Sequence, residues 1–206
     1  LPSVLFGGLT VFAAMRALWF ASQQRFAVIA YGILLLTGFY VFVQSRIAML
    51  DIFMLGFFMV ALWQCAAAVR EPETGRLRLA TAGVALGLAM ASKWNVAFLA
   101  ILPGLAFFAA RLTAGRRRLL TSQRGIPVPG ISLLEAALWL GLVPLLAYWL
   151  PHIWAYSLDR NPLQPGGFIT YHAEVMSLHE SVTKSHPYQS QWYEWAANLR
   201  LILYFY

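Results

Sequence analysis

The sequence is short of charge. Only 11% of its 206 residues are Asp, Glu, Lys or Arg, against about a quarter in a soluble domain. Carboxylates are the scarcer sign, with eight Asp and Glu against fifteen Lys and Arg. No water-soluble core of this size could bury a composition that is 60% hydrophobic, so the chain's solvent must be largely lipid. There is one cysteine, Cys65, inside an apolar run, which excludes a disulfide framework and a CxxC metal site. The histidines follow no compact ligand spacing and no HExxH pattern occurs, so neither a metal nor a cofactor is expected. A formal charge of +7 would suit nucleic acid if the cations lined a groove. Instead they sit at the ends of apolar runs, as topology signals do, and a nucleic-acid partner is not expected.

What the sequence does contain is a series of apolar stretches, at residues 3–20, 26–43, 47–69, 77–92, 94–112 and 131–150, with a seventh starting near 198. Most approach the ~20 residues with which a helix crosses a bilayer. Backbone groups in hydrocarbon must bond within their own segment, so an all-α, polytopic transmembrane helix bundle of about six to seven spans is expected. The fourth stretch is short, and is either a short span or half of a tight hairpin with the fifth. Residues 1–150 read as helices with short loops, 151–197 as an interfacial loop rich in aromatics, and 198–206 as the start of another span. The opening at Leu1 and the apolar close at Tyr206 read as the central piece of a longer protein.

Orientation follows from the arginines. One loop carries Arg70, Arg76 and Arg78, and another carries Arg111, Arg116, Arg117, Arg118 and Arg124. Two stretches separate these loops, so they share a side, and the excess of cations makes that side cytoplasmic. Arg25 falls there by alternation, and Arg16 is expected to snorkel toward it. The opposite side then holds three unusual patches.

The first patch is Gln44-Ser45-Arg46-Ile47-Ala48-Met49-Leu50-Asp51, with Asp51 about one turn inside the apolar run. A charge there is costly unless it meets a partner or a polar cavity. Arg46 and Asp51 therefore either line such a cavity, with Arg46 offered to an anionic headgroup, or form a structural pair with each other. The second is Ser92-Lys93-Trp94-Asn95, where a lone lysine either receives a phosphate or merely tips a hairpin. The third spans Phe168 to Arg200 and includes His172, His179, His186, Tyr188, Ser190, Trp192 and Trp195. Ser190 and His186 lack a third member and an oxyanion signature, so a packed aromatic loop is the plainer reading. All three patches fall on one side, as a single extracytoplasmic site would require.

These residues resemble the protein O-mannosyltransferase family. Residues Gln44 to Phe53 are similar to its RIAxLD-type segment, and Ala91-Ser92-Lys93-Trp94-Asn95 to its SKW segment. His179, His186-Pro187-Tyr188-Gln189-Ser190 and Trp192 to Trp195 resemble its HPY loop, and Leu1 to Gly8 resembles the start of an early helix. The resemblance implies a GT-C membrane fold and an inverting glycosyltransferase. Such an enzyme takes mannose from a polyprenyl-phosphate carrier, which is a substrate and not a cofactor, and gives it to protein Ser or Thr hydroxyls. It implies Arg46 and Lys93 near the carrier phosphate, with Asp51, Asn95, His179, His186, Tyr188, Ser190 and Trp192 in the substrate site. Asp51 would be supporting, because the family's acidic pair lies upstream of the region that matches Leu1. Its expected partners are membrane lipid, the lipid-phosphate donor and a protein acceptor. No large soluble module precedes the HPY loop, which favours a bacterial plasma membrane over an ER membrane, with the site facing outward. Asn95-Val96 lacks the glycine often found after the KW pair, and Ala196-Ala197 replaces a WPL-like continuation, so a glycolipid or polysaccharide acceptor stays open. A transporter or scaffold is the reading from another class, disfavoured because the polar residues gather at one interface and no repeat occurs.

Overall fold

The structure, a computed structural model, describes residues 1–47, 49–114, 119–158, 166–181 and 193–194. Among these there is no strand. The chain divides into a unit of residues Leu1–Trp154 and a second of Ala155–Tyr206, each described by itself. We label the helices α1 Pro2–Ser22, α2 Arg25–Thr37, α3 Tyr40–Ile47, α4 Leu50–Arg70 and α5 Gly75–Ser92. They are followed by α6 Trp94–Thr113 and α7 Leu133–Ser157, and in the second unit by α8 Gly167–Glu180.

Among the described residues four helices, α1, α4, α6 and α7, are long and apolar enough to cross a membrane. A fifth span results if α2 and α3 count as one path, bent by 51°. That is fewer than the six or seven expected, for two physical reasons. The second apolar stretch is broken where Gly38 ends α2 and Phe39 takes a left-handed φ of 60°, which a bulky residue adopts only under constraint. The fourth stretch does form α5, but Arg76, Arg78 and a run of Ala, Gly and Thr leave it less apolar than a lipid-facing span. It is also the most internal helix, with Leu79, Ala82, Ala85, Leu86 and Ala89 all buried. The seventh stretch, near 198, lies outside the described residues.

Contacts fix how the helices run. Phe6 of α1 meets Phe53 and Phe57 of α4 at 4.8 and 4.9 Å, and Phe12 meets Trp63 at 5.6 Å. At the other end of the same pair, Arg70 donates from Nε to the Phe20 carbonyl at 2.9 Å. Helices α1 and α4 are therefore parallel, and the bent α2–α3 path returns between them. A Cβ at Gly7, near the start of α1, would meet Ser45 at 2.7 Å, which places the end of α3 beside the start of α1. Helix α5 runs back along α4, because Asp51 and Lys93 meet at one end while Arg78 reaches Gln64 and Glu71 toward the other.

Helix α5 packs on α7 through glycines. A Cβ at Gly87 would come within 2.5 Å of the Ala147 Cβ, and one at Gly83 would overlap the Trp139 carbonyl. Without a hydrophobic effect between helices in lipid, such close backbone approach is what holds them together. Helix α7 carries a wide π turn over Leu138–Leu142, directly before Pro144. The proline lacks an N–H and would clash with the preceding turn, and the extra residue of a π turn relieves both problems.

One end of the bundle, called the arginine end below, is tied by side chains. Buried Arg111 donates to the Arg124 carbonyl at 2.8 Å and to the Ile131 carbonyl. Arg76 pairs with Glu135 at 2.6 Å and donates to Gly130 O at 2.9 Å. Ser132 caps α7 by accepting from the Glu135 N–H at 3.1 Å. Val128 and Ile131, both 1% exposed, plug the start of α5. We expect Gly87→Leu to separate α5 from α7 at a cost of about 1–3 kcal/mol or more, read as a lower melting temperature in detergent. Gly8→Ala, where a Cβ meets nothing within 4 Å, should leave that temperature unchanged or slightly higher.

Candidate functional site

At the end opposite the arginines, the bundle brings the first two patches together. Helix α4 begins at Leu50 after an extended Met49, so Asp51 lies in its first turn rather than one turn deep. The break between α3 and α4, which the apolar run conceals, accounts for the difference. Asp51 there complements the positive end of the α4 dipole. Helix α5 ends at Ser92, and Lys93 leaves it in an extended conformation, φ −158°. Its Nζ donates to Asp51 Oδ1 at 2.8 Å and to Oδ2 at 3.0 Å. The Asp51 side chain is 15% exposed and that of Lys93 is 37% exposed. The ammonium is thus held from behind by a largely buried carboxylate and remains open in front.

Asp51 pairs with Lys93, not with Arg46. Arg46, in the last turn of α3, is exposed, and its guanidinium lies over the Phe42 ring at 5.5 Å. Among the described residues it has no ion pair. Gln44 and Ser45 beside it are buried, and Ser45 Oγ donates to the Phe42 carbonyl at 2.7 Å. Asn95 is exposed in the first turn of α6. The pairing partner of Asp51 was missed because it lies 42 residues away. The available signal was two lone opposite charges assigned to the same side, each at a helix end.

Next to Lys93 in the chain, Met90 and Ala97 contribute to an apolar cavity of about 540 Å³ between α6 and α7. Ile101, Leu105, Phe108, Leu140 and Pro144 complete much of its wall. The end of the bundle therefore sets a positioned cation close in sequence to an apolar groove. Three His, Cys, Asp or Glu side chains do not converge on a metal-sized site among the described residues.

The third patch belongs to the second unit. His179 lies in α8, while His186, Tyr188, Ser190 and Trp192 lie outside the described residues. Within α8, His172 Nδ1 bonds to the Phe168 carbonyl at 2.7 Å, and its ring packs against Phe168 at 4.3 Å and Tyr171 at 5.3 Å.

Residues 1–157, which carry both charged patches, match the family model for dolichyl-phosphate-mannose-protein mannosyltransferase. The chain belongs to that family. A polyprenol-phosphate-mannose–protein mannosyltransferase of Corynebacterium glutamicum is 28% identical over 254 alignment positions, covering 98% of this chain and 47% of the relative. Proteins of the same description from Mycobacterium tuberculosis are 26% identical, covering 97% of the chain and 46% of each relative. The chain thus spans about half the length of the curated relatives it matches. Alignment positions outnumber the chain's 206 residues, so the relatives carry stretches with no counterpart here. No solved structure matches the chain. As a member of the mannosyltransferase family and a bearer of several apolar spans, the chain is a membrane protein.

The Asp51–Lys93 bond sits between the exposed and the buried regime, so a coupling of about 1–3 kcal/mol is expected. Asp51→Asn and Lys93→Met should each destabilise the full-length protein. The double variant should lose less than the two losses added, as measured by denaturation in mixed micelles.

Proposed function

We infer that this chain forms the carrier-phosphate site of a membrane mannosyltransferase, which moves mannose from a polyprenyl-phosphate donor to Ser or Thr hydroxyls of protein. One observation carries the reading: Asp51 fixes the Lys93 ammonium at the bundle end remote from the arginines. An unpaired cation there would be free to reach any headgroup. One held by a carboxylate is preorganised, and preorganised charge is what stabilises a developing anion.

The reaction needs three things at that end. The acceptor hydroxyl attacks C1 of the mannose from the face opposite the phosphate, so the anomeric configuration inverts. The C1–O bond to the carrier breaks, and the electron pair leaves with the polyprenyl phosphate. Lys93, positioned by Asp51, and exposed Arg46 offset that charge, with the guanidinium suited to two phosphate oxygens at once. The hydroxyl proton passes to a base, a role we assign to none of these residues. Asn95, His179, His186, Tyr188, Ser190 and Trp192 are proposed to complete the sugar and acceptor side.

Sidedness follows from the charges. Arg25, Arg70, Arg76, Arg78, Arg111 and Arg124 share one end, and cations accumulate on the cytoplasmic side. The Asp51–Lys93 end then faces outward, in a bacterial plasma membrane by analogy with the corynebacterial and mycobacterial relatives.

The test uses the full-length protein in membranes, with labelled polyprenyl-phosphate-mannose and a Ser/Thr-rich peptide. Lys93→Ala should lower transfer about 100-fold or more, as loss of one preorganised donor does elsewhere, and Arg46→Ala should also lower it while membrane insertion persists. Wild-type rates in both variants would remove the phosphate assignment. Label appearing in glycolipid and never in peptide would replace protein by a lipid or polysaccharide acceptor.

A further inference from the structure

At the arginine end, a second cluster of cations is assembled from three helices and takes no part in the site above. Arg16 of α1 lies over the Phe20 ring at 4.9 Å and over the Trp63 ring of α4 at 5.6 Å. Arg78 of α5 lies over the same Phe20 ring at 5.5 Å. Arg70 of α4 donates to the Phe20 carbonyl at 2.9 Å and to the Ala21 carbonyl at 3.3 Å. Phe20 itself is 5% exposed and forms the floor on which the guanidinia gather.

The three arginines differ in what satisfies them. Arg70 closes two of the carbonyls that a helix C-terminus leaves unpaired, which is a structural task. Arg78 bonds to Thr74 Oγ1 at 2.7 Å, to Gln64 Oε1 at 3.4 Å and to the Glu71 carboxylate. The side chain of Arg16 has neither hydrogen bond nor ion pair among the described residues, only the two rings. The buried Nε1–H of Trp63 beneath it also finds no acceptor there. Among the described residues, only Arg78 of the three guanidinia meets a carboxylate, and the donors left over concentrate around Arg16.

Ordinary snorkelling does not account for Arg16. A snorkelling cation reaches water along whatever path is open, whereas this guanidinium is seated on two aromatic faces, only partly exposed. Stacking leaves the edge of a guanidinium, with its fork of N–H groups, free to take two oxygens of one anion. Helix α1 ends at Ser22, six residues beyond Arg16, so the fork lies roughly 9 Å or less from the helix end. From there the side chain can reach the headgroup phosphates at that end of the helix. Basic pockets between transmembrane helices on the cation-rich side bind anionic headgroups in this way.

We propose that Arg16 and Arg78, seated on Phe20 and Trp63 between α1, α4 and α5, bind the phosphate of an anionic phospholipid headgroup. The site is independent of the mannosyl-transfer reading, since it lies at the opposite end of the bundle from Lys93. Its chemistry selects a lipid with net negative charge over a zwitterionic one, whose own ammonium the cluster repels.

The test is native mass spectrometry of the full-length protein in mild detergent, with phosphatidylglycerol and phosphatidylcholine at equal concentration. Wild type should retain phosphatidylglycerol in preference. Arg16→Gln and Arg78→Gln should each reduce that adduct about tenfold, the loss expected for one charge-assisted contact. Arg25→Gln, an exposed cation at the same end, should leave it unchanged. Equal retention of both lipids, an unchanged adduct in both cluster variants, or an equal fall in Arg25→Gln would overturn the proposal. So would inorganic phosphate that binds while the lipid does not. Should the variants misfold, photo-crosslinking of a diazirine phosphatidylglycerol to wild type decides the matter. Adducts on the end of α1 and the α4–α5 hairpin support the site, and adducts confined elsewhere refute it.

Discussion

The bond between Asp51 and Lys93 is the constraint on which the end of the bundle opposite the arginines rests. Neither charge could sit alone at the boundary of an apolar bundle without a large desolvation cost. Each is the neighbour of a helix terminus, Asp51 in the first turn of α4 and Lys93 just past the last turn of α5. Their 2.8 Å contact closes the open end of an antiparallel hairpin and at the same time sets the direction of an ammonium group. An ammonium held by two helix termini keeps its orientation better than one carried on a loop, which is what the proposed phosphate site would require of it.

The remainder of the bundle keeps those two termini in register. Helix α5 is narrow where it faces α7, because Gly83 and Gly87 admit the backbone of the neighbouring helix. It is fastened beside α4 at its far end by Arg78, Gln64 and Glu71. Buried Arg111 and the Arg76–Glu135 pair close the loop that precedes α7. The two ends of the molecule therefore use charge differently. Where the arginines crowd, the guanidinia of Arg70, Arg76, Arg78 and Arg111 hold carbonyls and carboxylates, while Arg16 rests on two rings. At the Asp51–Lys93 end of the first unit, the described charges are one ion pair and Arg46.

Much of this was legible from residue order. The all-helical membrane character followed from scarce charge and long apolar runs, and the grouping of arginines at one end followed from their spacing between those runs. Less legible were the break after Thr37 and the late start of α4 at Leu50. In both places an apolar sequence continues while the backbone does not, and hydropathy is blind to a turn made of apolar residues. Helix α5 misled in the opposite direction, since a helix wrapped by protein needs small residues more than apolar ones.

By itself the sequence determined that the chain is helical and lies in lipid, and that its arginines gather between particular apolar stretches. Membership in the mannosyltransferase family was also written there, in short segments kept in order. Only the tertiary structure decided partnership: that Asp51 answers Lys93 across 42 residues and leaves Arg46 to a phenylalanine ring, and that Arg16 is seated between rings of two helices. Local periodicity reports the environment of each residue separately. A salt bridge depends on the distance between two atoms, and that distance exists only once the helices have packed.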